Sequence, residues 1–206
     1  MNQQFFALPE EKRLRIIKAG FQVFAQNEYK RASTELIARK AGISKGLLFY
    51  YFHNKKSFFM FLFEYAENLV KKHVVDDDFA GITDFFDLNE FAAKKKFELL
   101  EKTPHIMEFL LRSAYSHTSD AYDDVNVRIQ EQTKSLYDNY YKNIDFSKFR
   151  EEIDPKDIQE MLIWTSNGYL QEIQRKPGKL DPSELSKKYT LWTQLLRRAC
   201  YNEEHL

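Results

Sequence analysis

Several features are scarce or missing in this sequence of 206 residues, and each scarcity excludes something. There is one cysteine, Cys200, so no internal disulfide framework can exist, and a lone thiol fits a reducing compartment. Five prolines and six glycines are few breakers for this length, so long helices are expected. No strand-like alternation and no internal repeat occurs. No apolar run is long enough to span a bilayer: the one from Phe58 to Phe63 stops at Glu64. The first residues, Met1 to Pro9, carry no cationic stretch followed by a long apolar one, so a soluble cytoplasmic protein is expected, with no membrane partner. There is no Gly-rich phosphate loop, serine elbow or zinc helix, which argues against an enzyme. No His, Cys, Asp or Glu set has metal-ligand spacing; Asp76, Asp77 and Asp78 are adjacent, unlike the spaced ligands of a calcium loop. No metal and no cofactor are expected.

Net charge is also absent, but only in the sum. Residues 1–60 hold eleven Lys and Arg against four Glu, a net +7, which leaves −7 on the remainder because the chain has 31 of each sign. A basic head on an acidic body directs any polyanion to the N-terminal end. What is abundant is aromatic: 18 Phe and 12 Tyr, enough to build a core dominated by rings.

The chain turns on residues 33–55. Ser33 is a natural helix N-cap, and Leu36, Ile37 and Ala41 recur at helical spacing. Gly42 can end that helix, and Ser44 caps another two residues later. Leu48 and Phe52, four apart, pin the second helix to the first. The other face carries Lys45, Gly46, Leu47, Phe49, Tyr50 and Tyr51, small or cationic residues followed by rings, which suits a major groove.

The remaining pattern is helical. A first helix is expected from Glu10 to about Gln26, with Leu14, Ile17, Phe21 and Phe24 on one face. A fourth is expected from Lys55 to about Val75, too apolar to be exposed all round. A loop to Asp84 and helices over about 85–102, 105–115, 125–142, 155–176 and 182–201 follow. Pro155 and Pro182, each after an Asp, mark two starts, and Pro177-Gly178 marks a stop. The expected fold is all-α, about nine helices, with a three-helix helix-turn-helix domain at 1–54 and a helical body at 55–206.

The segment from Ile37 to Lys55 resembles the signature of the TetR family of transcriptional regulators, and residues 10–60 resemble its N-terminal domain. The resemblance covers about a quarter of the chain. It implies that Ser33 and Thr34 meet phosphate and that Ser44, Lys45, Gly46 and Leu47 open the recognition helix. It further implies that Phe49, Tyr50 and Tyr51 form the aromatic run of that helix and that Lys55 clasps phosphate from the next one. Two positions depart from the family pattern. Phe49 replaces a usual tyrosine and loses a hydroxyl. Leu47 replaces a small polar residue and can only pack on a thymine methyl or sugar.

The resemblance also implies homodimerisation through the last two helices. Ile158, Met161, Leu162, Trp164 and Leu170, then Leu185, Leu191, Trp192, Leu195 and Leu196, are their apolar residues. A small-molecule effector would bind in the body. Phe86, Phe97, Met107, Phe109, Leu110, Tyr115, Tyr137, Tyr141 and Trp164 are candidates, with Asn167 as a polar contact; for each, core packing is the competing role. Inward cations are few, Arg112 and Arg128 being the exceptions, so an apolar, neutral or cationic aromatic effector is expected. The reading is a ligand-responsive regulator of double-stranded DNA, a repressor on a palindromic operator. Its alternative is a helical adaptor that has lost sequence-specific DNA binding.

Overall fold

Helix α1 (Glu10–Gln26) opens the main fold, with Glu10 and Glu11 in its first turn, where acids complement the helix dipole. The computed structural model describes residues 3–75, 77–115, 121, 123–129, 131, 140–175 and 181–206. Then come α2 (Thr34–Ala41), α3 (Lys45–Phe52), α4 (Lys55–Val74), α5 (Asp77–Ala80), α6 (Phe85–Lys102) and α7 (Pro104–Tyr115). Residues 123–129 are helical, and α8 (Pro155–Arg175) and α9 (Pro182–Cys200) follow. Short 3-10 turns lie at Gln3–Phe5, Phe146–Lys148 and Glu203–His205. Among the described residues there is no strand, only an isolated bridge between Phe149 and Tyr201. The fold is all-α with an N-terminal helix-turn-helix. No helix among the described residues is long and apolar enough to cross a membrane.

The chain packs as two units. The first is Met1–Leu69 with Thr103–Thr133, and the second is Val70–Lys102 with Lys134–Leu206. Packing thus groups the head with α7 rather than separating it at residue 54.

In the first unit α1 is buried more widely than one stripe, through Ile16, Ile17, Phe21, Val23 and Phe24. The cause is that α2 and α7 both lie against it while α4 crosses at Gly20. A Cβ there would sit 2.6 Å from Leu62 Cδ1 and 2.7 Å from Phe58 Cζ, so the crossing admits no side chain. Phe109 of α7 closes the core, its ring 5.2 Å from Phe21 and 5.0 Å from Phe59.

The second unit is built around Phe85, Phe86, Phe149 and Tyr201, which meet edge to face or stacked. Beside them lies a charged cluster. Asp84 caps α6, accepting from the Phe86 and Asp87 backbone N–H groups at 3.0 and 3.1 Å. Its carboxylate also holds Lys148 at 2.8 Å and Arg197 at 3.0 Å. Arg197 pairs with Asp87 as well and lies over the Phe86 ring. The C-terminal segment is tied to the 145–150 stretch by Arg150 N–H to the Cys200 carbonyl and Asn202 N–H to the Lys148 carbonyl, both 2.9 Å.

Candidate nucleic-acid interface

Two serine caps fix the helix-turn-helix. Ser33 Oγ accepts the Leu36 N–H at 3.2 Å, and Ser44 Oγ accepts the Leu47 N–H at 3.1 Å. Between them Gly42 takes the left-handed conformation, φ 67°, that ends α2 and turns the chain. Its N–H and that of Ile43 reach back to the carbonyls of Arg39 and Ala38, completing the helix end. Ile37, Ala41, Leu48 and Phe52 are buried between the two helices, as their spacing requires.

The opposite side carries the charges. Ser33, Arg39, Lys40, Ser44, Lys45 and Gly46 are exposed, and Thr34, Leu47 and Phe49 are half-buried. No acid occupies the first turn of α3, and Lys45 is exposed there, so the positive end of the helix and the ammonium lie together. Lys45 lies 6.0 Å from the Phe49 ring centroid, and Tyr50 is 52% exposed. Leu47 packs partly on the head core, which limits it to apolar contact.

Two expected contacts are placed differently. Tyr51 is only 5% exposed, not on the outer face. Phe5, from the N-terminal 3-10 turn, covers it with ring centroids 5.8 Å apart. Lys55 donates to the Lys30 carbonyl at 3.3 Å and sits 4.7 Å over the Tyr29 ring. This seat fixes where the Lys55 ammonium stands at the start of α4. Sequence reasoning missed both partners. Phe5 and Phe6 ahead of Pro9, in an otherwise polar tail, were the available signal for the first.

The turn from α3 into α4 is strained. His53 has φ 63° and ψ −50°, and the Asn54 N–H bonds the Phe52 carbonyl across it at 2.7 Å, a γ-turn of the rarer hand. Asn54 then caps α4 through the Ser57 N–H at 2.8 Å.

The effector candidates divide between the units. Met107, Phe109 and Leu110 are in the first; Phe86, Phe97, Tyr141, Trp164 and Asn167 are in the second. Tyr137 lies outside the described residues, as does the side chain of Tyr115. Phe86 and Phe109 have no exposed surface and are packed core, not cavity lining. Met107, Leu110 and Asn167 are half-buried. Tyr141 is buried, its hydroxyl bonded to the side-chain amides of Asn89 and Gln159. Trp164, at 66% exposed, lies on the outside of α8. Phe97 lines a shallow groove between α6 and α9 with Glu90, Phe91 and Tyr189. Arg112 donates to the Ala25 carbonyl at 2.9 Å, and Arg128 is paired with Glu67 and Glu64. Among the described residues no group of three His, Cys, Asp or Glu could hold a metal ion.

Fold and capped turn define an all-α helix-turn-helix protein with a helical C-terminal unit. Residues 16–60 match the family described as bacterial regulatory proteins, tetR family. That match covers the helix-turn-helix and the start of α4, so the head is similar to the DNA-binding domain of that family. Solved structures share the fold across nearly its whole length. One is a TetR family transcriptional regulator of Chloroflexus aurantiacus J-10-FL, 18% identical over 98% of this chain and 99% of that one, TM-score 0.66. Another is NalD of Pseudomonas aeruginosa, the secondary repressor of the MexAB-OprM multidrug efflux pump, 16% identical over 94% and 98%, TM-score 0.65. A third is the transcriptional regulator FadR of Bacillus subtilis in complex with stearoyl-CoA, 17% identical over 89% and 96%, TM-score 0.62. No curated protein matches the chain in sequence.

Proposed function

We propose that this chain is a cytoplasmic homodimeric repressor that binds a palindromic DNA operator and is released from it by a small apolar or aromatic effector. The helix-turn-helix domain at 1–54 reads DNA, helped by Lys55 at the start of the body; the rest of 55–206 carries the effector and dimer functions. One observation carries the DNA reading: a serine-capped recognition helix whose exposed side is basic and aromatic, with no acid in its first turn. Ser33, Thr34, Ser44 and Lys55 hold phosphate, while Lys45, Gly46, Leu47, Phe49 and Tyr50 meet the groove.

Dimerisation is supported by Met161 and Trp164 on α8 and Leu191 and Leu195 on α9, large apolar side chains left exposed. Trp192 does not belong to that set, because its ring packs 5.6 Å from Tyr169. Two heads match half-sites about 34–36 Å apart. The internal partners of Arg112 and Arg128 support an effector that needs no anion clamp. Such an effector acts only if it binds one of two conformational states more tightly.

Selection of bound fragments from random duplex DNA tests the reading, followed by gel shifts at several salt concentrations. Recovery of a palindrome with salt-dependent affinity is expected; binding without sequence preference favours the adaptor. Sedimentation of Trp164→Glu should show monomers where the unaltered chain gives dimers. A monomeric unaltered chain at micromolar concentration defeats the dimer.

A further inference from the structure

Phe5 reaches the recognition helix from a segment outside the 16–60 family match. The 3-10 turn Gln3–Phe5 closes through the Phe6 N–H to the Gln3 carbonyl at 3.0 Å. Arg13 of α1 donates from Nη1 to the Phe6 carbonyl at 2.9 Å, so the segment is fastened to the head from both sides. The Phe5 ring then lies 4.7 Å from Phe52 and 5.3 Å from Phe61, as well as against Tyr51, and is 1% exposed. It fills the wedge between the C-terminal half of α3 and the start of α4.

Helix α3 has only eight residues, barely two turns, and its buried grip is Leu48, Tyr51 and Phe52. Consecutive residues on a helix point about 100° apart. With Phe5 in the wedge, Tyr50 is outward and Tyr51 inward. With the wedge empty, α3 can roll about its axis and re-aim Lys45 and Tyr50, since a site held about 1 Å too loosely loses its geometry.

We propose that Phe5 is a positioning residue for DNA reading: it sets the roll of the recognition helix without touching DNA. This rests on the DNA-binding reading above, which the selection experiment tests first and separately with the unaltered chain. Phe5→Ala and Phe5→Leu in the full chain are then compared on the selected duplex and on a random-sequence duplex, with thermal melting in parallel. Phe5→Ala should weaken binding to the selected duplex by about tenfold or more, and to the random one by less than about twofold. The slope of affinity against salt should stay unchanged, because no phosphate contact is lost. Phe5→Leu, which refills the wedge, should recover most of the loss. If Phe5→Ala does not fold, Phe5→Val replaces it and is read in the same way. Equal losses on both duplexes, no loss at all, or a salt slope smaller by about one unit overturns the proposal.

Discussion

The two packing units each bury a carboxylate, and the two carboxylates fare differently. In the first unit the Glu67 side chain is nearly enclosed and meets Arg128 Nε at 3.2 Å, while its Oε1 makes no hydrogen bond among the described residues. Burial pushes its pKa up, and the charge and hydrogen bond of Arg128 only partly oppose this. In the second unit Asp84 is just as enclosed but meets two cations and two backbone N–H groups. Burial works to raise its pKa too, but the hydrogen bonds from Lys148 and the Asp87 N–H, with the charges of Arg197 and Lys148, hold it below the ordinary aspartate range. Burial alone therefore does not decide a charge's effect; the number of partners does. Both units have aromatic cores; the first holds an imperfectly matched acid and the second a matched ionic cluster.

Asp84→Ala should give the largest effect. It strands Lys148, leaves Arg197 with Asp87 alone and removes the α6 cap, so about 3–5 kcal/mol should be lost in denaturant unfolding. Both tryptophans, Trp164 and Trp192, belong to the second unit, so indole fluorescence reports that unit. The pH dependence separates the two acids. Asp84, with its folded pKa lowered, contributes stability that is present above the unfolded value of about 3.9 and is lost as pH falls through the folded one. Glu67, with its folded pKa raised, acts in the opposite sense: the folded state gains as pH falls from the raised value to the ordinary glutamate one. Carboxyl titration by NMR checks both directions, and the same direction for both would erase the contrast.

Gly20→Ala comes next and probes packing alone. The added methyl has no room against Leu62 and Phe58, and about 1–3 kcal/mol should be lost with no pH dependence of its own. An indole transition moved as far as by Asp84→Ala would show that the two units unfold as one and dissolve the comparison.

The first unit was the more legible in sequence, for a physical reason. Its helix-turn-helix is set by local chemistry: Ser33 and Ser44 bond residues three away, and Gly42 turns the chain where it stands. The limits of α1, α6 and α9 follow from similar local signals at Pro9, Asp84 and Asp181. Asp84 itself looked like an ordinary loop end. Its partners Lys148 and Arg197 lie 64 and 113 residues away, and no periodicity links them. Helix α5 fell in an expected loop, since four residues are too few to show a helical pattern. Tyr51 was misplaced because its cover, Phe5, arrives from a tail with no periodic pattern of its own.

Lys55→Ala tests the head's surface rather than its core. DNA affinity should fall about evenly across sequences, and the salt slope should shrink by about one unit, as for one lost phosphate contact. Lys55→Ala also removes a cation from the Tyr29 face, so a small loss of stability should accompany it. Stability lost with an unchanged salt slope would mean that Lys55 only seats the turn at Lys30.

His53→Gly should give the smallest effect and the opposite sign. His53 sits at φ 63°, ψ −50°, where a side chain is crowded and glycine is not. Such backbone strain costs on the order of 1–3 kcal/mol. Glycine removes the strain but makes the unfolded chain more flexible, which takes back about 0.4–1 kcal/mol. The net should be a gain of about 1 kcal/mol, read as a higher melting temperature. The strain lies in the two-residue link, His53 and Asn54, between the recognition helix and α4, and the Phe52 carbonyl to Asn54 N–H bond at 2.7 Å holds it closed. That bond does not involve the imidazole, so the turn should survive the change and DNA affinity should stay within about twofold. A lower melting temperature would show instead that the imidazole makes a contact worth more than the strain it imposes.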